Sequence, residues 1–161
     1  MARPKTIRID DWPIPEDAQA DPKWPPIMLD MAAHIGPYAT LLIVDAFAGQ
    51  EVYVSKDPAR SPFSDIIGAD KAETMAHVYG VERLRIPGGR MPLLKARRAG
   101  ILAACRAKKM SVDEGAAILR MPRRHLRHIV NHTQEALTAT PMVLLPRARD
   151  ARQLDMFDTP D

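Results

Sequence analysis

The stretch that most constrains this chain runs from Ser111 to Val130 and reads SVDEGAAILRMPRRHLRHIV. Its apolar residues recur at the spacing by which two short helices pack at a steep angle across a tight turn. They are Val112, Ala116, Leu119, Met121, Leu126 and Ile129. The other face of the second helix is almost entirely cationic, and such a helix after a tight turn is shaped to enter the major groove of DNA. The pattern therefore predicts a helix-turn-helix.

Composition indicates a small protein of a reducing compartment. A length of 161 residues allows one ordinary domain or two very small ones. The single cysteine, Cys105, cannot form an internal disulfide, and its apolar neighbours favour a buried small side chain over a reactive thiol. No signal peptide and no apolar run of about 20 residues is visible. We therefore expect a soluble, cytoplasmic protein with no membrane partner.

Positive charge is concentrated in one segment. The whole chain has a net charge of +3, but residues 92–132 hold ten Lys and Arg residues against two carboxylates, a net charge of +8. A basic module beside a neutral-to-acidic one is typical of phosphate binding, because attraction to the nucleic-acid backbone supplies most of the non-specific affinity. A merely solubilising helix face is the alternative on charge alone.

Proline-rich composition sets off the N-terminal end. Residues 1–26 contain six prolines among polar residues and show no helical or strand period. They predict a disordered or extended arm. Trp12 and Trp24 each stand beside a proline in this arm, and they either fasten it to the next domain or await a partner.

Residues 27–91 contain an internal repeat with a period of 32 residues. An Ile-Gly pair at Ile35, and again at Ile67, opens a helical run that is followed by a turn and a short strand of alternating polarity. The strands are Glu51–Ser55 and Arg83–Pro87. They could pair within one chain or across a dimer, and the residues leave both arrangements open.

The first helix of the repeat, residues 38–47, is strongly apolar. Gly49 is placed to end it in the left-handed conformation that glycine tolerates. Because such a helix cannot stay exposed and little other mass is available to cover it, we expect burial against a second copy of the chain. The helix residues expected in that interface are Leu41, Leu42, Val44 and Phe47.

Residues 92–132 form the predicted DNA-binding domain, which begins with a helix from about Leu93 to Lys108. Its residues of helical spacing are Leu94, Arg98, Ile101, Leu102 and Cys105, so we expect it to support the two helices that follow. Ser111, with Glu114 three residues on, fits a capping box at the start of the next helix.

The cations of this module are the candidate DNA contacts. Arginine can donate two hydrogen bonds to O6 and N7 of guanine, which suits it to reading bases or clamping phosphates. The candidates on the recognition helix are Arg123, Arg124, His125, Arg127 and His128. The cations elsewhere are expected to contact phosphates or only water, and they are Lys95, Arg97, Arg98, Arg106, Lys108, Lys109 and Arg120.

The sequence shows no clear metal-binding or catalytic motif. His125, His128 and His132 recur at helical spacing, but no nearby cysteine or suitably spaced carboxylate completes a metal site, so phosphate or solvent contact is favoured. The chain lacks a P-loop, a GxSxG elbow, an HExxH motif and a CxxC pair. Gly88 and Gly89 are better explained by a turn than by a phosphate-binding nest. We expect neither an enzyme nor a cofactor.

The C-terminal segment, residues 133–161, is predicted to be a flexible tail. It carries the sequence QLDMF, formed by Gln153, Leu154, Asp155, Met156 and Phe157. This sequence resembles the short peptide by which many bacterial replication and repair proteins bind the sliding clamp. A linear peptide can order on binding and place its apolar side chains in pockets. The alternatives are a tail that packs on its own domain and one that is disordered.

The order of these features resembles the Mor/C transcription activator family of Mu-like phages (middle operon regulator-like). The resemblance spans roughly residues 28–131, with GxxVYV-like strands at Gly49–Ser55 and Gly80–Pro87, then a basic stretch and SVxExAxxxxMPxRxLRxI. It implies a homodimer made by the N-terminal helices and strands, and a C-terminal helix-turn-helix on each subunit. It implies a dyad-symmetric promoter site and contact with host RNA polymerase in a bacterial or phage-infected cell. The strand residues it assigns to the dimerisation domain include Val52, Tyr53 and Val54.

Two positions depart from that family. Arg120 stands where the turn usually has Gly, and Pro122 where a Ser or Thr often caps the recognition helix. A positive φ costs a non-glycine residue about 1–2 kcal/mol, which a three-helix domain can absorb. Pro122 fits the first turn of a helix, where no backbone donor is needed.

The sequence thus predicts a mainly α chain with short β-strands (α+β). An N-terminal helix-strand dimerisation domain is followed by a three-helix helix-turn-helix domain, in a transcription regulator that binds double-stranded DNA. The alternative is an interaction adaptor that uses the repeat and the QLDMF tail, with only non-specific DNA binding.

Overall fold

A computed structural model describes the backbone of residues 7–138 and the side chains of residues 7–132. This part of the chain is mainly helical with one two-stranded sheet, which confirms the α+β class. The helices are α1 Pro26–Ile35, α2 Pro37–Phe47, α3 Ser64–Ile67, α4 Ala69–Tyr79, α5 Arg90–Arg106, α6 Val112–Leu119 and α7 Arg123–Thr138. The strands are β1 Glu51–Tyr53 and β2 Arg83–Arg85. Short 3-10 turns occupy Ile9–Asp11 and Pro58–Arg60.

Helix α7 continues to Thr138, which is six residues into the segment predicted to be a tail. The tail prediction beyond that point, together with QLDMF, lies outside the described residues.

The 32-residue repeat is visible in the fold. Helices α2 and α4 begin at Pro37 and Ala69 and have the same length, and β1 and β2 begin at Glu51 and Arg83. Each of the two helices follows a glycine with nearly the same backbone angles, since φ and ψ are 89° and 158° at Gly36 and 86° and 164° at Gly68. Few residues besides glycine adopt such a positive φ, which explains why the Ile-Gly pair marks both units. Gly49 also has a positive φ of 73°, as predicted.

The two strands pair with each other inside one chain. They are antiparallel, and Val52 lies opposite Leu84 at the centre of the register. Between the two open arrangements, pairing within the chain is therefore the one observed. Both central side chains are buried, so this ribbon closes one side of the N-terminal core.

The chain itself covers the apolar helix α2. Leu41, Val44 and Val54 are fully buried, and Leu42 and Phe47 pack half-buried against the same core. Most of this helix is therefore covered without a second copy of the chain. The elements that pack on the N-terminal core around α2 are α1, α3, α5 and the N-terminal arm. The apolar residues of the arm are few but large.

The arm is ordered from residue 7 onward, which corrects the prediction of disorder for its described part; it is extended over much of its length, as the alternative allowed. Trp24 and Ile14 are buried in the N-terminal core. Trp12 and Ile9 pack instead on the core of the C-terminal helices. The two tryptophans thus fasten the arm to both halves of the molecule. Each packs a large aromatic side chain against a core, and this stabilises the arm although the segment is rich in proline.

The C-terminal core lies between α5, α6 and α7. It contains Ile101, Cys105, Ala116, Ile118 and Leu126. The burial of Cys105 in it agrees with the prediction. The buried face of α5 includes the predicted Ile101 and Cys105, but Leu93 and Arg97 are buried in place of the predicted Leu94 and Arg98.

Candidate nucleic-acid interface

Helix α6 begins with the predicted capping box. The Ser111 side-chain oxygen accepts a hydrogen bond from the Glu114 backbone N–H at 3.1 Å, and the Glu114 carboxylate accepts one from the Ser111 backbone N–H at 3.1 Å. Two backbone donors at the helix start are thereby satisfied, and this fixes where α6 begins. The helix ends eight residues later at Leu119.

A three-residue turn joins α6 to α7. Arg120 adopts the left-handed conformation, with φ 50° and ψ 44°. The family resemblance predicted this conformation, because the family usually has glycine at this position of the turn. The next N–H, of Met121, donates to the Ala116 carbonyl at 3.1 Å and closes the helix end. Pro122 precedes α7, and its carbonyl accepts a hydrogen bond from the Leu126 N–H at 3.1 Å. The turn therefore separates α6 from α7 without the usual glycine or side-chain cap.

Gly115 is the small residue at the point where the helices cross. A methyl group at its position would lie 2.7 Å from the Cys105 sulfur and 3.0 Å from Cδ2 of Leu126. Both distances are shorter than ordinary carbon contacts, so α6 can approach α5 and α7 this closely only with glycine there. The sequence pattern named Ala116, one position along, as part of the packing face, and both residues are buried.

The exposed face of α7 borders a shallow, open groove of about 490 Å³. Its lining consists of Pro122, Arg124, His125, Arg127, His128, Asn131 and His132. Four of the five predicted recognition residues therefore share one face, while Leu126 on the opposite side is fully buried. A helix with one anchored face and one open cationic face matches what insertion into a DNA groove requires.

Asn131 is a candidate that the sequence interpretation missed. It is exposed in the same groove, one helical turn after Arg127. An asparagine amide can both donate to and accept from adenine, so its chemistry complements that of arginine. Its spacing of four from Arg127 places it on the same helix face, but its uncharged side chain does not belong to the cationic pattern.

Arg123 differs from its neighbours. Its Nε lies 2.9 Å from Oδ1 of Asp113 in the first turn of α6, and both side chains are more than half exposed. Such an exposed pair contributes about 0–1 kcal/mol to stability. It nevertheless directs the Arg123 guanidinium toward α6, and Arg123 does not line the groove. Arg123 therefore links the start of α7 to α6 and lies apart from the residues that line the groove.

Histidines lie close together toward the C-terminal side of the groove. The ring centroids of His128 and His132 are 3.9 Å apart and the rings are tilted by 57°. Among the described residues, no group of three or more His, Cys, Asp or Glu side chains is arranged to hold a metal ion. The pair adds polar ring edges to the same surface as Arg124 and Arg127.

Arg97 was predicted to contact phosphate, and the structure corrects this. Its side chain is only 9% exposed. The Nε donates to the Trp12 carbonyl at 2.7 Å and Nη2 donates to Asp45 at 2.9 Å. Arg97 thus ties the arm, α2 and α5 together, and its buried guanidinium is bonded inside the protein rather than presented to DNA.

The remaining predicted phosphate contacts are on the surface. Arg98, Lys108, Lys109 and Arg120 are all exposed, as is Arg106. Lys108 has a positive φ of 56° just after the end of α5, which turns the chain toward α6.

Lys95 is also on the surface but has a partner, since its ammonium lies 3.2 Å from Asp21 in the arm. The backbone N–H of Lys23 and then the Lys95 ammonium hold the pKa of Asp21 below its ordinary value. The Lys95 contact fastens the arm to α5 a second time.

Comparison of the chain with family models, with curated proteins and with solved structures yields no match. None of the helices in the described part of the chain combines the length and the apolar character needed to cross a membrane.

Proposed function

We propose that this protein is a sequence-specific DNA-binding regulator of transcription, and that α7 enters the major groove. The single observation that carries the proposal is the open face of α7, where Arg124, Arg127 and Asn131 lie together after a tight turn. Arginine and asparagine are the side chains that make bidentate hydrogen bonds to guanine and adenine, respectively.

The surrounding charge supports the same proposal. Arg97 is neutralised internally by Asp45, but residues 92–132 still expose a large excess of cations over the two carboxylates Asp113 and Glu114. Exposed cations such as Arg98 and Lys109 suit phosphate contact, which positions a protein on the duplex without reading its sequence. Binding should therefore weaken steeply as salt rises.

The Mor/C resemblance supports a role at a promoter. It suggests that the regulator activates transcription through contact with RNA polymerase in a bacterial or phage-infected cell. The homodimer that the same resemblance implies loses one argument, because α2 is covered within the chain.

Selection of bound DNA tests the proposal. The full chain is mixed with fragmented bacterial genomic DNA, and the retained fragments are sequenced. We expect enrichment of one sequence motif by the wild-type chain and its loss in the Arg124→Ala/Arg127→Ala double variant. The control, Arg60→Ala/Arg83→Ala, removes the same charge at two exposed positions outside the basic module and should keep the motif. Retention of DNA without any enriched sequence would refute the proposal.

A further inference from the structure

The two halves of the repeat are related by an internal twofold arrangement. Val52 pairs with Leu84 in the ribbon, and these two positions are themselves 32 residues apart. In an antiparallel pair of strands related by a twofold axis, the residue next to the axis pairs with its own equivalent in the other strand. The axis that relates the two repeats therefore passes between Val52 and Leu84.

Packing around this axis follows the same symmetry. Helix α2 packs on α3, and the equivalent helix α4 packs on α1. Buried residues also correspond, since Val54 and Ile86 are both fully buried on the inner side of the ribbon. One chain thus supplies both halves of an arrangement that two identical subunits form in a symmetric dimer.

The symmetry ends after the strands. Between β1 and α3, where the second repeat begins, the chain forms only the 3-10 turn Pro58–Arg60, which packs on α4. Beyond β2 it forms α5, which packs on α2 and leads to α6 and α7. The described chain therefore has one recognition helix for each complete twofold core.

We propose that the protein binds DNA as a single chain, with one recognition helix on a site that lacks dyad symmetry. This inference rests on the proposed function and narrows its substrate class. A dimeric regulator reads two half-sites whose centres are about 10–10.5 base pairs apart, or a multiple of that, because its two recognition helices are related by a twofold axis. Here the twofold axis is used inside the chain, so it does not generate a second recognition helix.

The exposed apolar residues of the described chain include Tyr53 of β1, which the family resemblance assigns to the dimerisation domain. The large ones are Ile7, Tyr53, Val78, Val81 and Met91. None of them belongs to α2, the helix that was expected to face a second subunit. Stable dimers bury large and mostly apolar surfaces, and α2 offers only its half-buried Leu42 and Phe47.

Stoichiometry on DNA tests the inference. The mass of the full chain is measured by sedimentation equilibrium, alone and with the duplex recovered by the selection. We expect 17.9 kDa alone, one chain on each duplex, and a motif without palindromic halves. Two chains on a palindromic motif, or a dimer of the free chain, would overturn the inference. A failure to enrich any motif would instead refute the proposed function, so the two failures are distinguishable.

A disulfide across the ribbon provides a second test. Glu51 and Arg85 are paired and both are exposed. They lie between the hydrogen-bonded positions of the ribbon, where antiparallel strands bring Cα atoms closest, so paired cysteines can bridge them. The oxidised Glu51→Cys/Arg85→Cys variant should run as a monomer on a non-reducing gel and keep the DNA affinity of its reduced form. The single variants serve as controls for Cys105. A covalent dimer formed by the double variant alone would show that the ribbon joins two chains.

Discussion

Replacement of Arg97 by alanine should destabilise the fold without removing a DNA contact. The guanidinium donates to the Trp12 carbonyl at 2.7 Å and to Asp45 at 2.9 Å. A hydrogen bond that involves a charged group contributes about 1.5–3 kcal/mol. The Asp45 side chain is 43% exposed, so we discount its ion pair to about 0–1 kcal/mol. With the lost packing of the arginine stem, we expect the free energy of unfolding to fall by about 2–4 kcal/mol.

Urea denaturation followed by tryptophan fluorescence measures this change, because Trp12 is itself a partner of Arg97. For a chain of this length the same loss corresponds to a decrease in Tm of roughly 5–15 °C. Arg98→Ala is the matched control, since Arg98 is the adjacent exposed arginine. It should change the stability by less than about 0.5 kcal/mol and reduce the salt dependence of DNA binding by about one phosphate contact. If Arg97→Ala behaved in the same way as Arg98→Ala, the structural assignment of Arg97 would be refuted.

Three further predictions concern the C-terminal helices. Gly115→Ala should destabilise the protein by about 1–2 kcal/mol in urea denaturation, because the new methyl group overpacks the helix crossing. The control Gly100→Ala, in α5, meets only ordinary contacts and should stabilise the protein by about 0.5–1 kcal/mol. Equal effects of the two substitutions would contradict the close approach of α6 to α5 and α7. Arg120→Gly should raise the stability by about 1 kcal/mol by relieving the left-handed backbone, while lowering the affinity for DNA in a titration; a less stable variant would argue against the strained turn. Burial, and then the charge of Glu114, raises the pKa of the Cys105 thiol, so alkylation at pH 8 should be much slower in the native protein than in urea, and equally fast labelling would show that the C-terminal core is open.

Local chemistry was readable from the sequence, because it depends on residues a few positions apart. The capping box needs only Ser111 and Glu114, whereas the left-handed turn at Arg120 was expected from the family resemblance. The repeat was readable too, because its Ile-Gly pairs require a backbone that favours glycine. The same locality explains why the bounds of α6 and the start of α7 agree with the pattern, whereas α7 ends later than predicted, at Thr138.

Long-range partnerships could not be read in this way. Arg97 interacts with Trp12 and Asp45, which lie 85 and 52 residues away in sequence, so spacing alone suggested an exposed cation. The residues that pack around α2 could not be predicted for a related reason. Trp24 lies in a segment whose prolines indicate disorder, yet its side chain is buried in the N-terminal core. Strand pairing within or across chains depends on loop closure rather than on strand residues, so the strands themselves could not decide it.

The most direct test of the central claim, that α7 reads DNA sequence, compares two dissociation constants. The wild-type chain and Arg124→Ala are each titrated against the selected duplex and against a scrambled duplex of the same length. Loss of a bidentate base contact costs about 1–3 kcal/mol, so Arg124→Ala should weaken binding to the selected duplex about 5- to 150-fold more than binding to the scrambled one. Equal weakening on both duplexes would contradict base reading by Arg124 and leave α7 as a phosphate-binding helix only.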